Sequence, residues 1–325
     1  MIVWIFYKPP MKNTDFRDSQ KKNKGISAID FFCFEKIHYI TSFIHPPESN
    51  MRSPAFLFLA LFFLLPTDAF GSFEHRGPDA RIEAMGGAGA ALENPPFGPF
   101  YNPAAGNRSN GSSAGISYAL PFGESSFDSF YGILQTGTLP FDRNGSASIS
   151  WQHYGSSLYS ESCTYATYST KITGAVRAGA SVGLLQRDSP GRGTESAIGI
   201  NLGVLTTFSP LVKLGASVFN LNKPESGRGN ENAPMTAFAG ASYKPAGNII
   251  VSAAMEKPEK KETRLLTGGE VRILKFLSLR AGFATGPSTF SGGVGIMFKN
   301  VQGDISLVRH PELGTGSWYT MRVAF

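Results

Sequence analysis

Few side chains in this sequence could perform covalent chemistry. Beyond residue 69 there are three histidines, His75, His153 and His310. Asp304 and Ser306 precede His310 on the same parity of an alternating stretch. Four residues along an extended strand is roughly 13 Å, too far for a serine nucleophile to hydrogen-bond its base. Asp304 is farther still. His153 keeps parity with Ile149 and Trp151, so we expect it at an apolar surface rather than in a site. The two cysteines, Cys33 and Cys163, lack metal-ligand spacing and fall in parts of the chain that processing is expected to separate, so we expect no disulfide. Cys163 reads as a small apolar strand residue. The expectation is no enzyme, no cofactor and no metal.

Glycine is the second candidate chemistry. The run Met85-Gly86-Gly87-Ala88-Gly89-Ala90-Ala91-Leu92 invites a phosphate-binding reading, but no strand leads into it and no Lys-Ser/Thr follows. The third glycine of that fingerprint is replaced by Leu92. What small residues do allow is close backbone packing in a confined space. The net charge of +6 is scattered apart from short groups at Lys21 to Lys24 and Lys257 to Lys261, as on solvated faces, and we expect no nucleic-acid partner. Asn107-Arg108-Ser109, Asn110-Gly111-Ser112 and Asn144-Gly145-Ser146 match a glycosylation pattern, yet they lie in turn-like sequence where these residues are common anyway.

The elements around these residues follow a period of two. The chain has 325 residues, of which 42% are hydrophobic and only 17% charged, with 37 Gly, enough for one large β domain. Val176, Ala178, Ala180, Val182 and Leu184 share one face, against Arg177, Gly179, Ser181 and Gly183. The stretches around Ile198, Leu277 and Phe290 repeat the pattern. We expect strands at 114–122, 127–138, 145–154, 159–171, 176–187, 195–208, 212–221, 235–244, 248–256, 263–273, 277–285, 288–299, 301–310 and 316–325. Alternate connections are short, around 172–175, 209–211, 245–247, 274–276 and 300. The others, 188–194, 222–234, 257–262 and 311–315, are longer and more charged. Two connections, 139–144 and 155–158, break the rule mildly.

That alternation favours a barrel with short periplasmic turns and both chain ends in the periplasm. A soluble sandwich would carry charge on its second face, whereas here that face is mostly Gly, Ser, Ala and Asn, which suits a crowded lumen. Tyr118, Trp151, Tyr154, Tyr159, Phe208, Phe298 and Trp318 sit near strand ends, as interfacial girdles require. The fold expected is all-β, an antiparallel transmembrane β-barrel of about fourteen strands over 114–325. It is expected in the bacterial outer membrane, in contact with its lipid.

Upstream, Met51-Arg52 precedes the apolar run Ala55 to Leu65, too short to span a bilayer that needs roughly 20 residues. It has the form of a signal peptide over 51–69, with small residues Thr67, Ala69 and Gly71 near a cleavage site. Residues 1–50 then read as an over-extended upstream segment, with a genuine cytoplasmic extension as the alternative.

Two stretches resemble known families. The last strand puts Tyr319, Met321, Val323 and Phe325 on one face and stops, which resembles the final strand of bacterial outer-membrane barrels; the resemblance implies an assembly signal and the assembly machinery as a partner. The Gly86, Gly87, Gly89 run followed by Asn102-Pro103-Ala104 resembles the N-terminal hatch of the FadL/TodX transporters and their PorV/PorQ relatives. A departure from the pattern is Glu93-Asn94-Pro95-Pro96, where paired acids often lie. The resemblance implies a hatch or plug over 70–113, seated in the lumen. It leaves two functions. The first is a PorV/PorQ-like accessory barrel for a secreted or surface protein, favoured because modest loops leave little sequence for an external binding cavity. The second is a FadL-like transporter of hydrophobic small molecules.

Overall fold

The computed structural model describes residues 72–106, 111–123, 127–156, 158–191, 193–226 and 231–325. The upstream extension, the signal peptide and the motif Asn107-Arg108-Ser109 lie outside these residues, as does Asn110.

The strands are β1 (Ser113–Leu120), β2 (Asp128–Gln135), β3 (Gly145–Gly155), β4 (Ser160–Lys171), β5 (Val176–Ser189), β6 (Gly193–Thr207) and β7 (Val212–Phe219). A two-residue pair, β8 (Glu225–Ser226) and β9 (Glu231–Asn232), forms a separate small sheet. Then come β10 (Thr236–Ala246), β11 (Ile249–Pro258), β12 (Arg264–Leu274), β13 (Leu277–Ala284), β14 (Thr289–Phe298), β15 (Val301–His310) and β16 (Gly314–Ala324). All but β8 and β9 form one closed antiparallel barrel of fourteen strands. It is sealed by β1 against β16, from Ser113 opposite Ala324 to Leu120 opposite Ser317.

Period two decides which way each side chain faces. Ile116, Leu134, Ile149, Val182, Ile198, Phe290, Ile305 and Met321 are exposed on the outside. Ser117, Ser150, Ser181, Asn201, Ser306 and Thr320 are buried on the inside. An apolar exterior around a polar interior, with no unpaired edge, is what lipid demands of a β-structure. This is an outer-membrane barrel.

Each expected strand is present, but several ends move. The stretch 188–194 narrows to 190–192, because Asp188 pairs with Thr194 and Ser189 with Gly193, and Gly191 (φ +81°) and Gly193 (φ +75°) make the tight turn. Likewise 311–315 narrows to 311–313. The loop-length asymmetry is therefore weaker than the sequence implies. What remains of it is two-residue turns at 247–248, 275–276 and 299–300 at one end, and the longest connection, 220–235, at the other. The end with the tight turns is the periplasmic one, and it holds the start of β1 and the end of β16.

Three aromatics expected in the girdles face inward instead: Tyr159, whose hydroxyl donates to the buried Glu161 at 2.6 Å, Tyr154 and Trp318. Tyr154 and Trp318 are each only 9% exposed. The Trp318 Nε1–H donates to the Gly77 carbonyl at 3.1 Å, and the Arg76 guanidinium lies 3.6 Å above the Tyr154 ring. Nearness to a strand end does not choose the face; parity does, and all three residues have inward parity. Cys163 is also inward, packed with Phe73 and Leu185.

The lumen is filled by residues 72–106. Ile82, Met85, Leu92, Phe97, Phe100 and Tyr101 pack there against Tyr131, Ile133 and Trp318 of the wall. The barrel thus has a packed core where an open porin has water.

Candidate functional site

Within the luminal segment, Asp79 starts a single helical turn, α1 (Ala80–Glu83). Its Oδ1 accepts the Arg81 N–H at 2.9 Å and its Oδ2 accepts the Phe97 N–H at 3.3 Å, an N-cap that also ties two parts of the segment together. The turn ends because Gly86 (φ +68°) and Gly87 (φ +81°) adopt left-handed backbone that other residues resist.

Met85 and Gly86 lie directly on the wall. A Cβ on Gly268 would meet the Met85 carbonyl at 2.4 Å, and one on Gly282 would meet the Gly86 nitrogen at 2.1 Å. These strand glycines mark places where another backbone makes contact. Ser291 Oγ accepts the Gly86 N–H and donates to the Ala84 carbonyl, both at 3.1 Å. Ser252 Oγ donates to the Ala88 carbonyl at 2.6 Å and Ser242 Oγ to the Ala91 carbonyl at 3.0 Å.

The second motif joins the first. Asn102, fully buried, donates from Nδ2 to the Ala90 carbonyl at 2.8 Å and to the Val204 carbonyl at 3.0 Å, and accepts the Ala104 N–H at 2.9 Å. Pro103 packs on β5, where a Cβ at Gly179 would lie 2.3 Å from it. The Ala104 carbonyl accepts from Arg177 Nε at 3.4 Å. Gly89 makes room for Ile82 and Tyr101, each 2.9 Å from where its Cβ would be. Gly86, Gly87, Asn102, Pro103 and Ala104 therefore lie at the plug-to-wall contact, whereas Gly89 packs within the luminal segment itself. Of the last-strand residues, Tyr319, Met321 and Phe325 are exposed on the outer face.

Charged groups lock α1 to the wall. Arg81 donates to both oxygens of Glu270, at 2.7 and 3.0 Å. Arg280 donates from Nε to Glu270 at 2.6 Å and from Nη1 to Asp304 at 2.7 Å, and Gln302 donates to Asp304 at 2.7 Å. Glu270, Arg280 and Asp304 are buried, so each charge depends on its partners. Arg76 pairs with Glu161 at 2.7 Å, Ser72 accepts from Arg187 at 2.5 Å, and Glu93 pairs with Lys213.

The segment divides the lumen in two. On the periplasmic side a cavity of about 310 Å³ is lined by Arg81, Lys213, Lys244, Arg272, Lys275 and Arg322 among others, with Glu93, Glu270 and Asp304 as its acids. On the outer side a cavity of about 260 Å³ reaches from Pro121, Phe122 and Leu313 down to Glu83 and Gly86. Phe238, Leu266, Ala284, Val308 and Trp318 give it an apolar wall. A dry cavity of roughly 150 Å³ accepts benzene, so the outer one has room for a substituted ring. Arg81 and Glu83, two residues apart on α1, serve opposite cavities. Glu83, on the luminal segment rather than a spanning strand, has its carboxyl pushed up to about 7 by burial, against the opposing hydrogen bond from Tyr101.

The histidine and serine candidates assemble no triad. Ser306 Oγ is buried and has no hydrogen-bond partner among the described residues. His310 Nδ1 instead accepts the N–H groups of Glu312 and Leu313, at 3.1 and 3.0 Å. His153 stacks with Trp151, the ring centroids 6.0 Å apart, and its Nδ1 lies 3.0 Å from Ser162 Oγ. His75 Nε2 donates to the Phe100 carbonyl at 2.6 Å, inside an aromatic cluster with Phe219 and Phe238.

Sequence reasoning missed Arg81, Glu83, Glu270 and Arg280, and weighed Asp304 only as a member of a triad. Their signal was nonetheless present: Glu270, Arg280 and Asp304 sit mid-strand at inward parity, where an ionisable residue at membrane depth needs a partner.

No protein-family model matches the chain, and no curated protein sequence does. Solved structures do. The toluene transporter TodX of Pseudomonas putida matches with a TM-score of 0.56 at 12% identity, over 78% of this chain and 98% of its own. The monoaromatic hydrocarbon channel CymD matches with a TM-score of 0.58 at 12% identity and the same coverage. A FadL homologue of Pseudomonas aeruginosa matches with a TM-score of 0.56 at 12% identity, over 78% of this chain and 99% of its own. The chain thus shares the barrel fold of FadL- and TodX-type outer-membrane proteins.

Proposed function

We propose that this protein passes compact hydrophobic molecules through the outer membrane, with residues 72–106 acting as a movable hatch. The observation that carries the reading is the partition of the lumen: an apolar-walled outer cavity and a basic inner one, separated by one thin stretch from α1 to Gly87. A molecule seated in the outer cavity reaches the periplasmic cavity when that stretch shifts. Beyond the Arg81–Glu270 pair the anchors are single hydrogen bonds, each worth about 0.5–1.5 kcal/mol net, so local displacement of the stretch that follows Arg81 costs less than unfolding the barrel. The solved structures of similar fold include a toluene transporter and a monoaromatic hydrocarbon channel, which favours the same substrate class here.

The accessory-barrel reading gains nothing from those structures. Its main support was that modest loops leave no room for a binding cavity, but the outer cavity is built inside the barrel mouth, from strand ends and the luminal segment. We assign the protein no catalytic step. The last-strand face of Tyr319, Met321, Val323 and Phe325 remains our proposed assembly signal, at a strand end whose Phe325 N–H bonds the Ser112 carbonyl at 2.8 Å.

The test is uptake of radiolabelled toluene by cells with this protein in their outer membrane, against cells carrying the empty vector. The expected result is uptake several-fold above the control, with no change for a labelled sugar of similar size. Equal toluene uptake in both would refute transport.

A further inference from the structure

Glu83 stands out on the floor of the outer cavity. Its Oε1 accepts the Tyr101 hydroxyl at 3.0 Å, and that hydroxyl in turn accepts the Asp79 N–H at 3.0 Å, so the Tyr101 proton is committed to Glu83. Gly77 makes the placement possible, since any Cβ there would overlap the carboxylate. Among the described residues the second carboxylate oxygen has no hydrogen-bond partner, and Glu83 has no ion pair.

The other charged and titratable groups of the cavity are already engaged. Arg264 donates to Glu256 at 2.8 Å and to the Thr285 carbonyl at 3.1 Å. His75 is bound to the Phe100 carbonyl, and His310 is held by the N–H groups of its own turn. Beside the apolar wall, the floor of the pocket therefore presents a carboxylate oxygen to whatever the pocket holds. A molecule that displaces water from the pocket strips that oxygen of its donors, and one that brings its own O–H or N–H offsets the loss.

We infer that Glu83 makes the outer cavity selective for compact hydrophobic molecules bearing one O–H or N–H donor, such as an alkylphenol, over the plain hydrocarbon of the same shape. The inference rests on the transport reading and refines it: the apolar wall takes the ring, and the free Glu83 oxygen takes the donor. Selectivity of this kind is steep because a site placed to bond a donor is left with an unpaired polar group by the analogue that lacks one.

The experiment compares 4-ethylphenol with ethylbenzene, by calorimetric titration of the purified full-length barrel in detergent at a pH well above 7, where Glu83 is ionised. The wild type is expected to bind 4-ethylphenol about tenfold more tightly, as one charge-assisted hydrogen bond provides. Glu83→Leu is expected to erase that preference, read as the ratio of the two affinities in the same variant. Should Glu83→Leu fail to assemble, Glu83→Gln keeps the shape without the charge, and the preference is expected to fall to about threefold or less. Equal binding of the two probes to the wild type, or a preference that survives both substitutions, would overturn the role of Glu83 while leaving the cavity as a hydrocarbon site. Binding of neither probe would overturn both the inference and the transport reading.

Discussion

Arg280→Met is expected to destabilise the folded barrel by about 3–5 kcal/mol, the cost of removing one partner from a buried ionic set. Among the described residues Arg280 alone donates to both acids of the network, to Glu270 at 2.6 Å and to Asp304 at 2.7 Å. Methionine fills the space but leaves Asp304 with Gln302 alone and Glu270 with Arg81 alone. Urea unfolding of barrel refolded into detergent micelles, followed by tryptophan fluorescence, measures the loss. Neutralising Asp304 in the same protein, Asp304→Asn, should recover most of it, because Arg81 and Glu270 then remain a matched pair and the penalty is unpaired charge rather than lost volume. A change below about 1 kcal/mol for Arg280→Met alone would mean that water already screens these groups.

Gly282→Val is expected to leave the barrel assembled and make it leak. Valine suits a strand, so β13 should still form. Its Cβ, however, would lie 2.1 Å from the Gly86 nitrogen and 2.4 Å from the Met85 carbonyl carbon. Those are backbone atoms, which cannot rotate aside, so the stretch from Met85 to Gly87 must leave the wall. That stretch separates the two cavities, and its displacement joins them. Planar-bilayer recordings should show ion conductance several-fold above the wild type, with the slowed migration of folded barrel retained on unheated gels. Wild-type conductance from a folded Gly282→Val barrel would mean that the partition lies elsewhere.

Period two made the barrel legible in the sequence. Val182, Leu184, Phe290 and Met321 alternate with small or polar residues because one strand face meets lipid and the other the lumen. The strand ends were less legible. Pairing near the outer end extends wherever a glycine such as Gly191 or Gly193 allows a tight turn, and residue type alone does not show how far. The glycines of the wall were visible but misread. Gly268 and Gly282 looked like a small, polar face, whereas their role is set by the backbone of Met85 and Gly86, distant in sequence.

The ionic network was half legible. Glu270 and Arg280 are direct cross-strand neighbours once β12 and β13 are in register, and Gly295 sets Asp304 one strand further on. Arg81 is 189 residues from Glu270 and could not have been assigned before the luminal segment was placed. Glu83 was illegible for the same reason: only the fold puts its carboxylate at the base of a cavity with an apolar wall. The preference for an accessory barrel finds no support for a related reason, since short loops do not exclude a cavity that strand ends and a plug can build between them.

The most direct test of the hatch is a cross-link that stops it moving. A Cβ on Gly293 would lie 2.6 Å from the Ala84 Cβ, close enough that small backbone shifts bring a cysteine pair to disulfide distance. In a Cys163→Ser background begun at Met51, Ala84→Cys with Gly293→Cys is oxidised in the outer membrane, and uptake of labelled toluene is measured before and after a reductant. The account predicts uptake at least tenfold lower in the oxidised protein and restored on reduction. Uptake at the wild-type rate through the fully oxidised barrel would contradict it, because the molecules would then cross without the luminal segment moving.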